Sequence, residues 1–329
     1  MFYKVINHSL FQFVISTILV AGALLCIFTP EILFCKWAAN YANQIILGYL
    51  FLGLGLMFVK QSRIMFVSFA CCASLCLFLQ NSMNSPFKKI DKTANHLSSI
   101  SVAHFTTSKS TETISEMIDL IKTHNADLVS IQEIDDLWAQ ELKDCMHDYY
   151  PSMVMLPDTG FQGLAILSRY PLEYIDTFHF EGKPNLHGLI STPNNEHLNL
   201  LSTHTAPAID DDSYQDLVAH LAVLSNRIKK FDAPYITLGE YNAVSWSNEI
   251  TNFKKNAGLR DSRRGMSPTY PSGQMDFMEV PIDHIFYSNH LQCVEFKTLD
   301  GKETNHLGIM GTYEFKPIPK ALNVSIKKI

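Results

Sequence analysis

A predominantly apolar run without a single charge, from Leu10 to Phe28, constrains this chain more than any other feature. About 20 apolar residues suffice for a helix to cross the hydrocarbon core of a bilayer. The run is closed by Thr29-Pro30, which ends a helix. We therefore expect the chain to begin with a membrane helix and to build any water-soluble domain from the residues that follow.

Two further apolar runs, near Ile45–Val59 and Ile64–Leu79, are joined only by Lys60-Gln61-Ser62-Arg63. A link that short forces an antiparallel helical hairpin. A cleaved signal peptide is the alternative for the first run, but its charged leader is weak and no small-residue cleavage site follows it. We predict a membrane anchor of three transmembrane helices over residues 1–82, followed by a polar linker over residues 83–98.

The orientation of the anchor depends on where basic residues lie. The link containing Lys60 and Arg63 should stay cytoplasmic, which places the C-terminal domain outside the cytoplasm. Lys88, Lys89 and Lys92 argue for the opposite orientation. We expect a multi-pass integral membrane protein whose C-terminal domain is extracytoplasmic.

Charge is distributed unevenly between the two parts of the chain. The net charge of −6 divides into +3 for residues 1–85 and −9 for the remainder, which holds 22 basic and 31 acidic side chains. An acidic domain is a poor electrostatic match for a nucleic acid, so a nucleic-acid partner is disfavoured although not eliminated. The membrane and a phosphorylated small-molecule or lipid-linked substrate are the expected partners.

After residue 98, short β-type runs alternate with helical patterns. Apolar residues recur at the spacing of one helix face, and each such stretch is followed by a short apolar run typical of a buried strand. The helix faces are Ile114, Met117, Ile118 and Ile121, then Leu217, Leu221, Leu224 and Ile228; the strands include 128–131 and 235–238. This alternation predicts a single α/β domain over residues 99–329.

Polar residues capable of chemistry follow or begin the predicted strands, where α/β domains commonly assemble their sites. In chain order they are Gln132-Glu133, Ser168-Arg169, His204, Glu240 and Asn242, Asp283-His284, and Asn305-His306. Arg169 is as well explained by an ion pair with a carboxylate as by phosphate binding, and His284 by packing. Trp246, Phe253 and Tyr270 are interpreted as core residues rather than a stacking platform.

In their order and spacing, these segments resemble the endonuclease/exonuclease/phosphatase superfamily over roughly residues 98–315. The segments are DLVSIQEI (127–134), GLAILSRYPL (163–172), LNLLSTHTAP (198–207), ITLGEYNA (236–243), PIDHIFYS (281–288) and TNHLGI (304–309). The resemblance implies a four-layer α/β sandwich of the DNase I type. The three N-terminal helices preceding such a domain are similar to the layout of the VanJ-like branch.

The resemblance also implies a role for each site residue. Glu133 and Asn305 fall on metal-binding positions, and the implied metal is Mg²⁺ or Mn²⁺. His306, oriented by Asp283, would activate or position the attacking water. The remaining catalytic positions are Glu240, which would align the water, and Asn242 and His204, which would donate to phosphate oxygens.

Three residues depart from the family pattern: Thr106 stands where an asparagine is usual, Glu240 where an aspartate is usual, and Asn305 where a metal-binding aspartate is usual. The activity expected is divalent-metal-dependent phosphoester hydrolysis. Because of the departures, a catalytically degenerate binding module remains an alternative, and a nuclease of the same chemistry is a second one.

Overall fold

The computed structural model describes residues 8–30, 32–84, 99–107, 113–300 and 304–317. Four helices come first: α1 (Ser9–Phe28), α2 (Leu33–Asn40), α3 (Ala42–Phe58) and α4 (Ser62–Ser82). Helices α1 and α4 are each long and apolar enough to cross a membrane, whereas α2 and α3 qualify only together and meet at a bend of 73°. The described chain thus has two candidate spans, or three if the bent pair is one span.

The four helices are arranged so that the domain lies at one end of the bundle. At the far end, Gln12 near the start of α1 donates to Gln61 in the α3–α4 link at 2.8 Å. At the near end, the Thr29 carbonyl accepts from Asn248 of the domain at 3.3 Å. This arrangement places the start of α1 and the basic link on one side and the domain on the other. Which side is cytoplasmic stays a prediction, and Lys88, Lys89 and Lys92 lie outside the described residues.

The domain contains two six-stranded sheets. The first has the order β11-β12-β1-β2-β4-β3 and the second β5-β6-β7-β8-β10-β9. The first sheet comprises β1 (Ser99–Thr106), β2 (Leu128–Gln132), β3 (Ser152–Leu156), β4 (Leu164–Ser168), β11 (Leu291–Leu299) and β12 (Gly308–Phe315). The second comprises β5 (Leu172–Phe180), β6 (Lys183–Ser191), β7 (His197–Thr203), β8 (Tyr235–Glu240), β9 (Leu259–Asp261) and β10 (Asp283–Ser288).

Helices cover the outer face of each sheet and complete the four layers that the sequence predicts. They are α5 (Ile114–His124), α6 (Asp136–Met146), α7 (Asp211–Ile228) and α8 (Asn248–Ala257). The central core is formed by alternate strand residues of both sheets, such as Val102, Leu128 and Leu238. The intervening residues face the helices, so that Val129 packs with α5 and α6 while Leu201 packs with α7 and α8.

A buried glutamine joins the two sheets beside the polar ends of their strands. The Gln132 amide nitrogen donates to the Thr203 carbonyl at 2.7 Å, and its oxygen accepts from the Glu240 backbone N–H at 3.0 Å. Gln132 has no exposed surface, so these bonds satisfy an amide that would otherwise be costly to bury. The bonds fix the end of β2 against the ends of β7 and β8.

Helix α2 is docked on the domain through a buried ion pair, a contact that the sequence analysis did not foresee. Lys36 Nζ lies 2.7 Å from Glu249 Oε1, and both side chains are 6% exposed. The Tyr214 hydroxyl donates to the same carboxylate oxygen at 2.7 Å. Burial would raise the pKa of Glu249, but hydrogen bonds from Lys36 and Tyr214 outweigh it and lower the pKa. The carboxylate is therefore held ionised.

Apolar contacts and further hydrogen bonds extend this joint toward the end of β8 and the start of β10. Trp246 donates its indole N–H to the Ala39 carbonyl at 2.7 Å. An apolar cluster combines residues of the N-terminal helices and the domain: Ala42, Leu79, Val244, Trp246 and Val280. Asn84 donates to the backbone carbonyls of Asp261 and Arg263 at 2.8 and 2.9 Å. Asn84 and Met83, the first two residues of the predicted linker, thus contact the domain, and 85–98 lie outside the described residues.

Candidate active site

The chemically competent side chains meet at one edge of the two sheets because of strand direction. Strands β1 and β2 are parallel, as are β7 and β8, so Glu133, His204 and Glu240 emerge at the same edge. Strand β10 runs antiparallel to β8 and begins opposite its end, with Asp283 in register with Glu240. His306 precedes β12, which is antiparallel to β1.

His306 and Asp283 form a buried pair at this edge. His306 Nδ1 lies 2.9 Å from Asp283 Oδ2, and the side chains are 7% and 1% exposed. The other carboxylate oxygen accepts from the Thr106 hydroxyl at 3.3 Å and lies 3.5 Å from His104 Nε2. The contact at Nδ1 leaves His306 Nε2 facing the site, 3.8 Å from Glu240 Oε2. This is the orientation required of an imidazole that exchanges a proton with a substrate or water.

The electrostatics of this pair favour its charged form. Burial alone would lower the pKa of His306, but the charge and hydrogen bond of Asp283, reinforced by Glu240 and Glu133, raise it to about 9. Burial would raise the pKa of Asp283, yet His306 and His104 hold it well below its usual range. In the absence of a bound cation, His306 is therefore an imidazolium at neutral pH and a hydrogen-bond donor.

Glu240 lies close to both histidines of the site. One of its oxygens, Oε2, lies 3.4 Å from His204 Nε2 as well as near His306. Burial would lower the pKa of His204, but the hydrogen bond and charge of Glu240, with the charge of Glu133, raise it. The glutamate that replaces the expected aspartate thus reaches both histidines.

Two overlapping groups of side chains can each hold a cation. Glu133, His204 and Glu240 bring one potential ligand atom each within 4.8 Å of one another, as do Glu240, Asp283 and His306. Carboxylate oxygens are the ligands that Mg²⁺ prefers, and one or two suffice because the ion retains several waters. Glu133 and Glu240, which approach from different sheets, therefore fit a divalent cation, and Glu240 joins Glu133 among the candidate ligands.

The backbone at two of these positions is in the left-handed region. Glu133 has φ = 62° and Asn242 has φ = 50°, values that are uncommon for residues with a Cβ. The Glu133 N–H donates to the Gly163 carbonyl at 2.8 Å, where a side chain at Gly163 would collide with the Ile134 carbonyl at 1.8 Å. The Asn242 amide donates to the Thr205 carbonyl at 2.7 Å. Such conformations concentrate at functional sites.

Asn305 lies between buried Thr304 and His306, and its own side chain is exposed. Its backbone carbonyl accepts from the Ser272 N–H at 2.8 Å, which anchors the turn that carries His306. A ligand role for its side chain stays a prediction.

Two residues of the site differ from the sequence-based interpretation. Tyr270 was expected in the core, but it is 39% exposed and its ring centroid lies 4.7 Å from that of His306. His104 was overlooked, although it alternates with Thr106 on β1 and therefore faces the same side of the sheet. That period of two was the signal available in the sequence. Trp246 and Phe253 are buried as expected.

Arg169 and Ser168 do not belong to the site. Strand β4 is antiparallel to β2, so that Leu128 at the start of β2 pairs with Ser168. The end of β4 therefore points away from the edge at which Glu133 emerges. There Arg169 lies 3.9 Å from Asp127, the carboxylate alternative left open by the sequence. His284 is fully buried and its Nε2 lies 2.8 Å from the Ala243 carbonyl, in agreement with a packing role.

Comparisons with known proteins agree with this architecture. A family model described as Endonuclease/Exonuclease/phosphatase family matches residues 94–306, more than half of the chain. No curated protein sequence matches. Similar solved structures include an endonuclease/exonuclease/phosphatase from Beutenbergia cavernae, at 16% identity and a TM-score of 0.58, covering 68% of this chain and 73% of that one.

Two further solved structures resemble this chain at a similar level. D. rerio TDP2 complexed with a single-strand DNA product has 17% identity and a TM-score of 0.56, covering 66% of this chain and 99% of that one. The mannosyl-6-phosphatase of Bacteroides thetaiotaomicron has 16% identity and a TM-score of 0.53, covering 66% and 100%. At such identities the likeness establishes the fold, while the substrate has to be argued from the site.

Proposed function

The chain belongs to the Endonuclease/Exonuclease/phosphatase family, and from that premise we propose that it is a membrane-anchored, divalent-metal-dependent phosphoesterase. The proposal is carried by the position of two carboxylates. Glu133 and Glu240 each place a potential ligand atom within 4.8 Å of the other, beside the buried His306–Asp283 pair. A degenerate binding module would not need two carboxylates and two histidines held together at the expense of burial.

The residues present fit a divalent cation, with Glu133 and Glu240 as the groups that would hold it and Asn305 as a further candidate ligand. When bound, Mg²⁺ or Mn²⁺ neutralises charge on the phosphoryl oxygens and lowers the pKa of a coordinated water. Glu240, which lies beside both His204 and His306, is placed to orient the attacking water. The substitution of Glu240 for aspartate is compatible with this role because its oxygen already reaches both rings.

His306 and His204 are the hydrogen-bond donors that would face the phosphoryl group of a substrate. His306 holds its proton at Nε2 while Asp283 occupies Nδ1, so the imidazolium donates toward the site and its charge is stabilised from behind. His204, whose pKa is also raised, presents a second donor. Asp283 is the main cause of the raised pKa of His306, and Glu240 and Glu133 add to it. A cation held by the two glutamates would lower that pKa toward the range in which the imidazole accepts a proton from water.

The proposed substrate is a lipid-linked or small phosphorylated compound, met at a membrane surface. The domain's net charge of −9 disfavours nucleic acid, and the helices that dock on it are apolar enough to lie in a bilayer. The B. thetaiotaomicron relative is a mannosyl-6-phosphatase. A nuclease is the second candidate, favoured by the D. rerio TDP2 structure with its DNA product. The VanJ-like layout and the extracytoplasmic location stay predictions.

The decisive experiment is a substrate panel on the full chain in detergent, with phosphomonoesters, phosphodiesters and single-stranded DNA, each with Mg²⁺, Mn²⁺ or chelator. We expect metal-dependent turnover that His306→Ala lowers by about 10²–10⁴-fold, the usual contribution of a general acid–base group. His197→Ala is the matched control, since this exposed histidine lies at the opposite end of β7 from His204. Turnover of no substrate under any metal condition would favour the binding module, and preference for DNA would favour the nuclease.

A further inference from the structure

A cavity of about 660 Å³ lies between membrane helices α3 and α4 and the catalytic domain. Its volume falls within the range of about 300–1,000 Å³ that is typical of ligand pockets. The lining residues from α3 and α4 are Asn43, Ile46, Leu47, Cys76, Leu79, Gln80 and Asn81; Met83 and Asn84 follow α4, and the domain adds Gly265, Met266 and Phe277. We refer to it as the interhelical groove.

The interhelical groove opens onto surfaces that suit the hydrocarbon of a membrane. Phe51 and Leu54 lie on the same face of α3 as Leu47, because they follow it at the i+4 and i+7 positions. Their side chains are 66% and 41% exposed. Large apolar side chains exposed in stripes on candidate membrane helices are the surface that lipid covers. Because Leu47 lines the groove, the groove is continuous with the apolar stripe on α3.

One buried polar atom in the interhelical groove lacks a partner. Asn43 is 8% exposed, and its amide nitrogen donates to the carbonyls of Phe277 and Glu279 at 3.0 and 3.3 Å. Its oxygen Oδ1 is fully buried and has no hydrogen-bond partner among the described residues. A buried acceptor left unpaired is costly, which points to a ligand that supplies a donor there.

The domain wall of the groove leads directly to the catalytic histidine. Phe277 belongs to a short 3-10 helix (Asp276–Met278), and Val280, two residues after it, forms a β-bridge with Tyr270. Their backbones exchange hydrogen bonds of 2.6 and 3.0 Å, and the Tyr270 ring lies 4.7 Å from the His306 ring. The segment from Tyr270 to Val280 therefore connects the groove, through Phe277, to the His306 ring, through Tyr270.

We propose that the interhelical groove binds the apolar chain of the enzyme's substrate, a lipid whose phosphorylated headgroup carries a hydrogen-bond donor. The chain enters between α3 and α4 from the bilayer, the donor reaches Asn43 Oδ1, and the phosphoryl group extends past Tyr270 toward His306. This proposal rests on the phosphoesterase function proposed above and specifies the substrate class of that site.

The first test measures binding without catalysis. The full chain is placed in phosphatidylcholine nanodiscs with a trace of ceramide 1-phosphate, a phosphomonoester lipid whose amide N–H supplies the donor. The probe carries a diazirine in its acyl chain, and after illumination the labelled residues are mapped by peptide mass spectrometry. We expect labelling at groove residues that excess unlabelled ceramide 1-phosphate displaces. Labelling spread evenly over the exposed faces of α1, α3 and α4 would overturn the proposal.

Matched substitutions on one helix sharpen this test. Cys76 is exposed and lines the groove, while neighbouring Leu77 is 59% exposed and does not. Cys76→Trp should lower groove labelling by about tenfold, equivalent to excluding roughly two methylene groups from apolar contact, whereas Leu77→Trp should leave it unchanged. Leu47→Trp fills the groove from α3 and must therefore lower groove labelling as Cys76→Trp does. Equal labelling in all three variants would refute the assignment.

The second test separates failure of the groove from failure of the enzyme. The hydrolysis of long-chain ceramide 1-phosphate and of a water-soluble short-chain analogue is compared in the wild type and in Cys76→Trp. We expect the variant to lose about tenfold in kcat/KM on the long-chain lipid alone. Equal losses of kcat/KM on the long-chain lipid and the short-chain analogue, or no loss on either, would refute the assignment of the groove as the lipid-chain site. Displaceable groove labelling in a wild type that hydrolyses no phosphoester would retain the lipid site and reject the proposed function.

Discussion

The ion pair that joins α2 to the domain gives a prediction whose size follows from burial. Glu249→Gln removes the charge that faces Lys36 at 2.7 Å, where both side chains are 6% exposed. Breaking a buried pair by removing one partner costs about 3–5 kcal/mol, since the remaining ion stays desolvated. The Lys36 ammonium keeps its cation–π contact with the Tyr214 ring, whose centroid is 5.4 Å away. We therefore expect a loss of stability of about 3 kcal/mol, the lower end of that range.

This loss should be measurable as a fall in the thermal midpoint of the full chain in detergent. A change of 3 kcal/mol corresponds to roughly 6–12 °C for a domain of this size. Asp176→Asn provides the control, because it breaks the partly exposed pair with Arg227 and should cost no more than about 1 kcal/mol. The double variant Lys36→Met with Glu249→Leu should recover most of the loss, since an apolar pair of similar volume often replaces a buried ion pair without penalty.

The pH dependence of the same variant provides an independent check. The pKa of Glu249 is lowered in the folded protein, so its stabilising effect is present above the unfolded pKa and is lost as pH falls through the folded pKa. The difference in midpoint between wild type and Glu249→Gln should therefore be constant near neutral pH and shrink in acid. A Glu249→Gln variant that melts like the wild type at pH 7 would refute the docking of α2 on the domain.

Three further predictions concern the metal, the altered site and the topology. Mg²⁺ or Mn²⁺ should raise the midpoint by mass action, and Glu133→Gln should abolish that rise; a wild type indifferent to millimolar metal contradicts this. Asn305→Asp should tighten metal binding in a calorimetric titration and raise turnover, because a charge replaces a neutral carbonyl; a loss of activity would mean that Asn305 has a native role. A reporter fused after Ile329 should behave as extracytoplasmic, since the Lys60/Arg63 link should stay inside; cytoplasmic activity would refute that orientation.

The domain could be predicted from local sequence patterns because its strands and helices have distinct periods. The polar residues at strand ends were also predictable, since strand direction alone brings Glu133, His204 and Glu240 to one edge. The sequence left Arg169 open between phosphate binding and an ion pair, and could not exclude Ser168 and Arg169 from the site, because the same pattern does not reveal that β4 runs antiparallel. The assignment of a strand end to the site requires the strand's direction as well as its sequence.

The joint between anchor and domain could not be predicted, since its partners are distant in sequence. Lys36 and Glu249 are 213 residues apart, and neither stands in a pattern that indicates pairing. Tyr270 was assigned to the core rather than to a stacking platform. Its exposure depends on the turn that carries His306, which is determined by tertiary contacts such as that between Ser272 and Asn305.

The left-handed backbone at Glu133 and Asn242 bears on how this protein trades stability against activity. Non-glycine residues in that region cost of the order of 1 kcal/mol each, and glycine would remove the cost. Glycine would also remove the carboxylate and the amide from the site. A search for more stable versions of the chain would therefore tend to select glycine at both positions and discard the active site, so a stability screen without an activity screen would lead away from function.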